Sequence, residues 1–310
     1  MLSAPDYNLC WAKCNATVGC AAWSYGVPNC GGGDARPVCW LKASVESWGQ
    51  NQCRVAGDQG SAGGRALRPA VNNKFTFLAG WLDQSWWPDG EYTAPSDDAL
   101  KFDIQAVLDF GLNFVRLHQK VNSERWYYWA DKLGVIIQQD MIQKYGGATA
   151  ETVPDFEMEI KAMIDGRGNH PCIIAWTVFN EGDDGAVFNI TEMTEWVINY
   201  DPHRLVDTNS GGPGNDLHIG NVNDIHSYPW PGNPAPSTTQ YAMIGEFGGI
   251  GAFIPGKEWA PGQCSTYLKA ATPQEEADLY VQMAGNITLY RDSPGVSVSV
   301  YTQITDVENE

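Results

Sequence analysis

Residues 173–182 read Ile173-Ile174-Ala175-Trp176-Thr177-Val178-Phe179-Asn180-Glu181-Gly182. The run up to Phe179 is almost continuously apolar or β-branched and too short for a buried helix. It suits a strand covered on both faces, as in a parallel sheet. The polar pair Asn180-Glu181 ends it. The same grammar repeats outward in both directions. Candidate strands occupy 74–80, 113–118, 134–140, 173–180, 205–210, 223–228, 241–246 and 296–303. Between several of them lie helical patterns. Residues 97–110 place Leu100, Ile104, Val107 and Leu108 on one face, and 123–132, 154–165, 186–199 and 273–289 behave alike.

Strands alternating with helices define the α/β class. Eight such strands from residue 73 to the C-terminus predict a (β/α)8 TIM barrel rather than an open sheet. No G-x-G-x-x-G follows the first strand and no G-x-x-x-x-G-K-[ST] occurs, so a nucleotide fold lacks its main signal. The last strand ends a few residues before the C-terminus. The barrel is therefore expected to lack its last helix and to be open or poorly covered there.

Polar residues gather at the predicted carboxyl ends: His118, Asp140, Asn180-Glu181, His226 with Tyr228, Glu246 and Gln303. In barrels those ends form the active-site mouth. Glu181 and Glu246 fall on strands 4 and 7, across the mouth from each other. Two carboxylates facing one cavity are the minimum set for glycosidic cleavage, in which one protonates the leaving oxygen and the other attacks or activates water. Asn180 could bond a sugar hydroxyl, a negative neighbour would help Glu181 keep a proton, and Tyr228 would hold Glu246 ionised. The competing structural role makes one glutamate a core ion-pair partner of Arg116. Trp81, Trp86 and Trp87, beside Asp83 and Gln84, are expected either to wall the mouth or to pack their own loop. No metal or cofactor is expected.

The composition fits such a ligand. Of 310 residues 12% are aromatic, with 13 Trp, and flat rings stack on the C–H faces of sugars as well as filling cores. The net charge of −18 disfavours nucleic acid and anionic membrane surfaces. No apolar run approaches the roughly 20 residues needed to span a bilayer.

The charge is uneven. Residues 1–72 carry six basic and four acidic side chains, so the remainder carries −20. Six of the eight cysteines also crowd the first 53 residues. So dense a set reads as a disulfide framework rather than a zinc site, since the segment has no histidine to complete one. Cys172 and Cys264 are expected unpaired, at opposite ends of the barrel. An oxidising, extracellular destination is expected, and N-x-[ST] triplets at Asn15, Asn189 and Asn286 agree with a secreted glycoprotein. No signal peptide is visible at the start of the sequence. Three modules are expected: 1–54 disulfide-rich, 55–72 a small-residue linker, and 73–310 the barrel.

Two resemblances add to this reading. Cys10-Trp11-Ala12-Lys13-Cys14, Cys20 and Cys39-Trp40-Leu41-Lys42 resemble the PAN/apple family. That resemblance implies bridges Cys10–Cys39 and Cys14–Cys20, with Cys30 and Cys53 left to each other. It also implies a protein or glycan ligand for the module. His170-Pro171 ahead of Asn180-Glu181-Gly182 resembles the acid/base signature of glycoside hydrolase family 2, the β-galactosidase/β-glucuronidase family. Gly245-Glu246-Phe247-Gly248, Asn113-Phe114-Val115-Arg116-Leu117-His118, and Asp131-Lys132-Leu133-Gly134-Val135 with Asp140 resemble its other signature segments. This implies a retaining, exo-acting β-glycosidase with Glu181 as acid/base and Glu246 as nucleophile. Asn180, His118, Asp140, His226 and Tyr228 would contact sugar or support the site; Trp81, Asp83 and Gln303 are added as substrate-contact candidates from their places near the strand ends, not from the resemblance. The sequence departs from the family in having the cysteine-rich module where β-domains usually precede the barrel. Val300-Tyr301-Thr302-Gln303 also stands where many members carry a Trp. The alternative is a catalytically weak or inactive carbohydrate-binding or adhesion protein.

Overall fold

The computed structural model describes residues 66–143, 148–182, 187–212, 218–263 and 265–307, with the backbone of four short strands nearer the N-terminus. The chain divides into two compact units, Met1–Ala66 and Leu67–Glu310. In the first, Leu2–Ser3, Ala22–Gly26, Val38–Lys42 and Arg54–Asp58 form an antiparallel sheet in the spatial order first, third, second, fourth. The expected cysteine pairings lie outside the described residues. The strand Arg54–Asp58 occupies the start of the stretch expected to be linker. Further on, Ala70–Val71 and Lys74–Phe75 form a small hairpin, so the apolar alternation at 74–77 belongs to a turn and not to the first barrel strand.

The second unit is an eight-stranded, all-parallel, nearly closed sheet. Its strands are β1 (Leu78–Asp83), β2 (Phe114–Leu117), β3 (Ile136–Asp140), β4 (Ile173–Asn180), β5 (Leu205–Ser210), β6 (Val222–His226), β7 (Tyr241–Gly248) and β8 (Val296–Thr302). Their order is β5-β4-β3-β2-β1-β8-β7-β6. β8 pairs with β7 on one side and β1 on the other, with Val298 opposite Leu78 and Tyr301 opposite Trp81. The expected opening at strand 8 is thus corrected, because its backbone groups find ladders on both edges. The interruption lies between β5 and β6. There the Asn221 N–H donates to Val206 O at 2.8 Å, the Val206 N–H donates to Asn221 Oδ1 at 3.0 Å, and Thr208 Oγ1 donates to Ile219 O at 2.8 Å.

Five helices among the described residues cover the sheet: α1 (Asp97–Asp109), α2 (Glu124–Leu133), α3 (Val153–Arg167), α4 (Ile190–Tyr200) and α5 (Pro273–Asp292). Local chemistry sets their ends. Ser96 Oγ accepts from the Ala99 N–H, and Asp97 and Asp98 follow at the positive end of α1. Thr272 caps α5 in the same way with Pro273 next, and α2 stops at Gly134 with φ +82°.

Strand parity then sorts the side chains. Outward-facing Trp81, Val115, Leu117, Ile137, Trp176 and Val206 pack against helix residues such as Ile104, Val107, Trp126, Ile160 and Val197. Inward-facing Leu78, Leu82, Phe114, Val222, Tyr241, Met243, Val298 and Val300 fill the floor of the barrel.

Candidate active site

Above that floor the inward positions become polar. Along β2 they read Phe114, Arg116 and then His118; along β3, Ile136, Gln138, Asp140; along β6, Val222, Asp224, His226. Arg116 is fully buried and organises the upper layer. Its Nη2 donates to Asp140 Oδ2 at 2.7 Å and to Asn180 Oδ1 at 2.6 Å, and its Nη1 donates to Glu246 Oε1 at 3.1 Å. Burial works against a charged guanidinium, but Asp140 and Glu246 outweigh it and raise the Arg116 pKa. Asp140 is likewise buried. Burial alone would raise its carboxyl, yet Arg116 and His118 hold it below its ordinary value. His118 Nδ1 lies 2.8 Å from Asp140 Oδ2.

Glu246 reaches the mouth through a break in alternation. The register shifts between Ile244 and Phe247 against β8, and between Ile225 and His226 on β6, so that His226 stands opposite Glu246. A bulge of this kind re-aims a side chain. Gly245 is required there, since a Cβ would fall 2.1 Å from the Asp224 carboxylate. Tyr228 donates to Glu246 Oε2 at 2.6 Å and meets Thr302 Oγ1 at 2.7 Å. Burial, then the charge of Glu246, raises the Tyr228 pKa, so the phenol stays a donor. Tyr267 stacks on Tyr228 with ring centroids 3.8 Å apart.

Glu181 sits one residue past β4 with φ +49°, its side chain about 40% exposed. Its carboxylate meets His226 Nδ1. An oxygen of Glu181, an oxygen of Glu246 and a ring nitrogen of His226 all lie within 4.8 Å of one another. That spacing would also admit a divalent cation, although His226 Nδ1 is already engaged with Glu181.

The structure therefore brings together Glu181, Glu246, Asn180, His118, Asp140, His226 and Tyr228. It does not bring Trp81 or Asp83 to them. Trp81 points outward into the helix layer, edge-on to Phe110. Because β1 runs 78–83 with Gly80 and Leu82 inward, the odd positions face away. Asp83 is buried, and its Oδ1 accepts from Ser85 N at 2.6 Å and Ser85 Oγ at 2.9 Å, tying down the turn after β1. Trp86 is exposed and edge-on to Tyr92. Gln303 accepts from Gln84 at 2.9 Å. It lines a neighbouring cavity of about 340 Å³ shared with Tyr267, Trp259 and Thr302. Cys172 is a free buried thiol, and Cys264 lies outside the described residues. Sequence reasoning missed the mid-strand polar residues Gln138, Asp207 and Asp224 and the support from Ser210. Their signal was a charged or amide residue inside an otherwise apolar strand.

A parallel barrel with paired carboxylates at its carboxyl-end mouth defines a class, the barrel glycosidases. The family model for glycosyl hydrolases family 2, TIM barrel domain, matches residues 70–229. The chain belongs to that family. It is 28% identical over 124 residues to a β-galactosidase of Pectobacterium atrosepticum, covering 37% of this chain and 12% of the relative. It is 28% identical over 118 residues to one of Klebsiella pneumoniae, covering 36% and 11%. The matches thus span only about an eighth of those relatives. Among solved structures, the fold resembles a β-galacturonidase from Eisenbergiella tayi (TM-score 0.58, 20% identity, 77% of this chain and 46% of that one). It also resembles a β-glucuronidase from Parabacteroides merdae (0.57, 15%, 92% and 43%). No helix among the described residues is long and apolar enough to cross a membrane.

Proposed function

We propose that this chain cleaves terminal β-linked sugars with retention, Glu246 acting as nucleophile and Glu181 as acid/base. The carrying observation is the approach of the two carboxylates to within 4.8 Å, with one imidazole between them. Retaining enzymes hold the pair about 5–5.5 Å apart, whereas inversion needs roughly 6.5–9.5 Å to seat a water. The unequal surroundings support the division of labour. Both oxygens of Glu246 accept hydrogen bonds, from Arg116 and Tyr228, which aims a carboxylate without protonating it. Glu181 is the more exposed of the two, as suits the carboxyl that would meet the leaving group. Glu246 attacks the anomeric carbon as the glycosidic C–O bond breaks, and the Glu181 proton passes to the leaving oxygen. Water then gives its proton to Glu181 as its oxygen displaces Glu246. Asn180, held by Arg116, is placed to bond the hydroxyl beside the reacting carbon.

The test begins with chromogenic β-galactoside, β-glucuronide, β-mannoside and β-glucoside. Glu246→Gln should nearly abolish turnover of whichever is cleaved. Glu181→Ala should collapse hydrolysis of poor leaving groups, spare formation of the glycosyl-enzyme from an activated aryl glycoside, and be rescued by azide to a β-glycosyl azide. Equal losses on all leaving groups, or an α-azide, would overturn the assignment. An inactive chain that still binds sugar would favour the carbohydrate-binding reading.

A further inference from the structure

Tyr228 stands just past the end of β6, in a stretch without helix or strand, yet its hydroxyl meets Glu246 at a fixed point. Its backbone is pinned to β7 on both sides. The Ser227 N–H donates to Glu246 O at 3.1 Å, and the Gly248 N–H donates to Pro229 O at 2.9 Å. At the tip, the hydroxyl donates to Glu246 Oε2 at 2.6 Å and meets Thr302 Oγ1 at 2.7 Å. Between backbone and tip the side-chain torsions remain, and contacts at the hydroxyl do not by themselves set the tilt of the ring. Tyr267 supplies that restraint. It lies flat on Tyr228, with ring centroids 3.8 Å apart and planes 11° from parallel.

The strand that carries Glu246 also holds Tyr267. Gly249 O accepts from the Tyr267 N–H at 3.0 Å, the Leu268 N–H at 3.2 Å and Thr266 Oγ1 at 2.6 Å. Ile250–Ala252 then pairs in parallel with Leu268–Ala270. Gly249 has φ +62°, and a Cβ there would fall 2.4 Å from a ring carbon of Tyr267. Glycine is what lets this arm fold back closely enough for the stack. β7 thus grips Tyr228 twice, through the backbone on either side of it and through a ring laid on its face. Tyr267 itself is 52% exposed, so it adds little to the core and its removal should leave the barrel folded.

We propose that Tyr267 is a positioning residue for the nucleophile: it braces the Tyr228 ring, which in turn aims Glu246 at the anomeric carbon. The proposal rests on the nucleophile role given to Glu246 above. A stacked aromatic pair shifts a conformational equilibrium by roughly two- to tenfold, which sets the size of the effect. The rival role is a wall for substrate, since Tyr267 also lines the neighbouring cavity. A wall would act on sugar directly and would not need the Tyr228 hydroxyl.

The test is the rate at which a 2,4-dinitrophenyl 2-deoxy-2-fluoro-β-glycoside of the sugar that the chain cleaves labels Glu246. In that reaction a Glu246 oxygen bonds to the anomeric carbon, the bond to the aryl oxygen breaks, and dinitrophenolate leaves with the electron pair. Tyr267→Ala should slow labelling at saturating reagent by about five- to tenfold with the half-saturating concentration unchanged, and Tyr267→Phe, which keeps the ring, should stay within about twofold of the parent. Tyr228→Phe should be slower still, and adding Tyr267→Ala to it should cost little more. Losses that multiply, a raised half-saturating concentration in Tyr267→Ala, or labelling as fast as in the parent would each overturn the proposal. Crystal structures of the variants read the same brace without turnover. The Tyr228 ring should hold one position in the parent and in Tyr267→Phe and spread over more than one in Tyr267→Ala; a single unmoved ring there would also overturn the proposal. A parent chain whose Glu246 takes no label would count against the nucleophile assignment instead, and the crystal structures would still decide whether Tyr267 braces Tyr228.

Discussion

The floor and the mouth of the barrel are built from the same strands and differ in everything else. At the floor, Phe114, Ile136, Leu205 and Val222 meet Leu78, Tyr241 and Val298 in an apolar plug. One inward step along β2, β3, β5 and β6 stand Arg116, Gln138, Asp207 and Asp224, all buried and hydrogen-bonded. The apolar layer tolerates approximate shape. The polar layer does not, because each buried donor or acceptor that loses its partner bears the full desolvation cost. Stability and chemistry are thus separated along the strand axis, by about 7 Å of chain.

Three substitutions probe that contrast, in decreasing order of expected effect. Arg116→Met should be the most damaging. It leaves Asp140 and Glu246 buried without their counter-charge, and breaking one partner of a buried pair costs about 3–5 kcal/mol. Urea unfolding should show that loss, and turnover should vanish. A variant that unfolds like the parent would mean water takes over the pairing, and the contrast would fail. Gly245→Ala comes next. Its Cβ would press into the Asp224 carboxylate, so a loss of roughly 1–3 kcal/mol and an altered pH profile are expected. Phe114→Leu, one layer below Arg116, should cost only about 1 kcal/mol in the same urea titration and leave the pH profile unmoved. A shifted profile there would show that floor packing, and not the polar layer alone, sets the chemistry.

The alternation of strands and helices was legible because covered strands and amphipathic helices carry distinct periods. All five helical patterns and seven of the eight strands lie within a few residues of where the sequence suggests. The first strand was displaced because 74–77 alternates without being in the barrel, and that displacement set Trp81 at a mouth it faces away from. The strand-end residues of the mouth were legible too, since a polar residue closing an apolar run has few other uses. The layer beneath them was not. Gln138, Asp207 and Asp224 sit inside strands, where one polar letter among apolar ones does not say which partner satisfies it. Arg116 was legible only as a possible ion-pair partner of one glutamate. The structure gives it both that role and contact with Asp140 and Asn180.

The seam between β5 and β6 carries a further consequence, for how such a barrel can vary over generations. Where backbone ladders join two strands, the joint holds through most changes of side chain. Between β5 and β6 the joint depends on the identities of Asn221, Thr208 and Ser210. Point mutations can tighten or loosen that junction as they cannot the laddered ones. Ser210, Asp224 and His226 stand along it, so inherited changes there would rearrange hydrogen bonds at the rim of the mouth without touching either carboxylate. Variation in the neighbourhood of the mouth is thus open at that seam while Glu181 and Glu246 stay fixed.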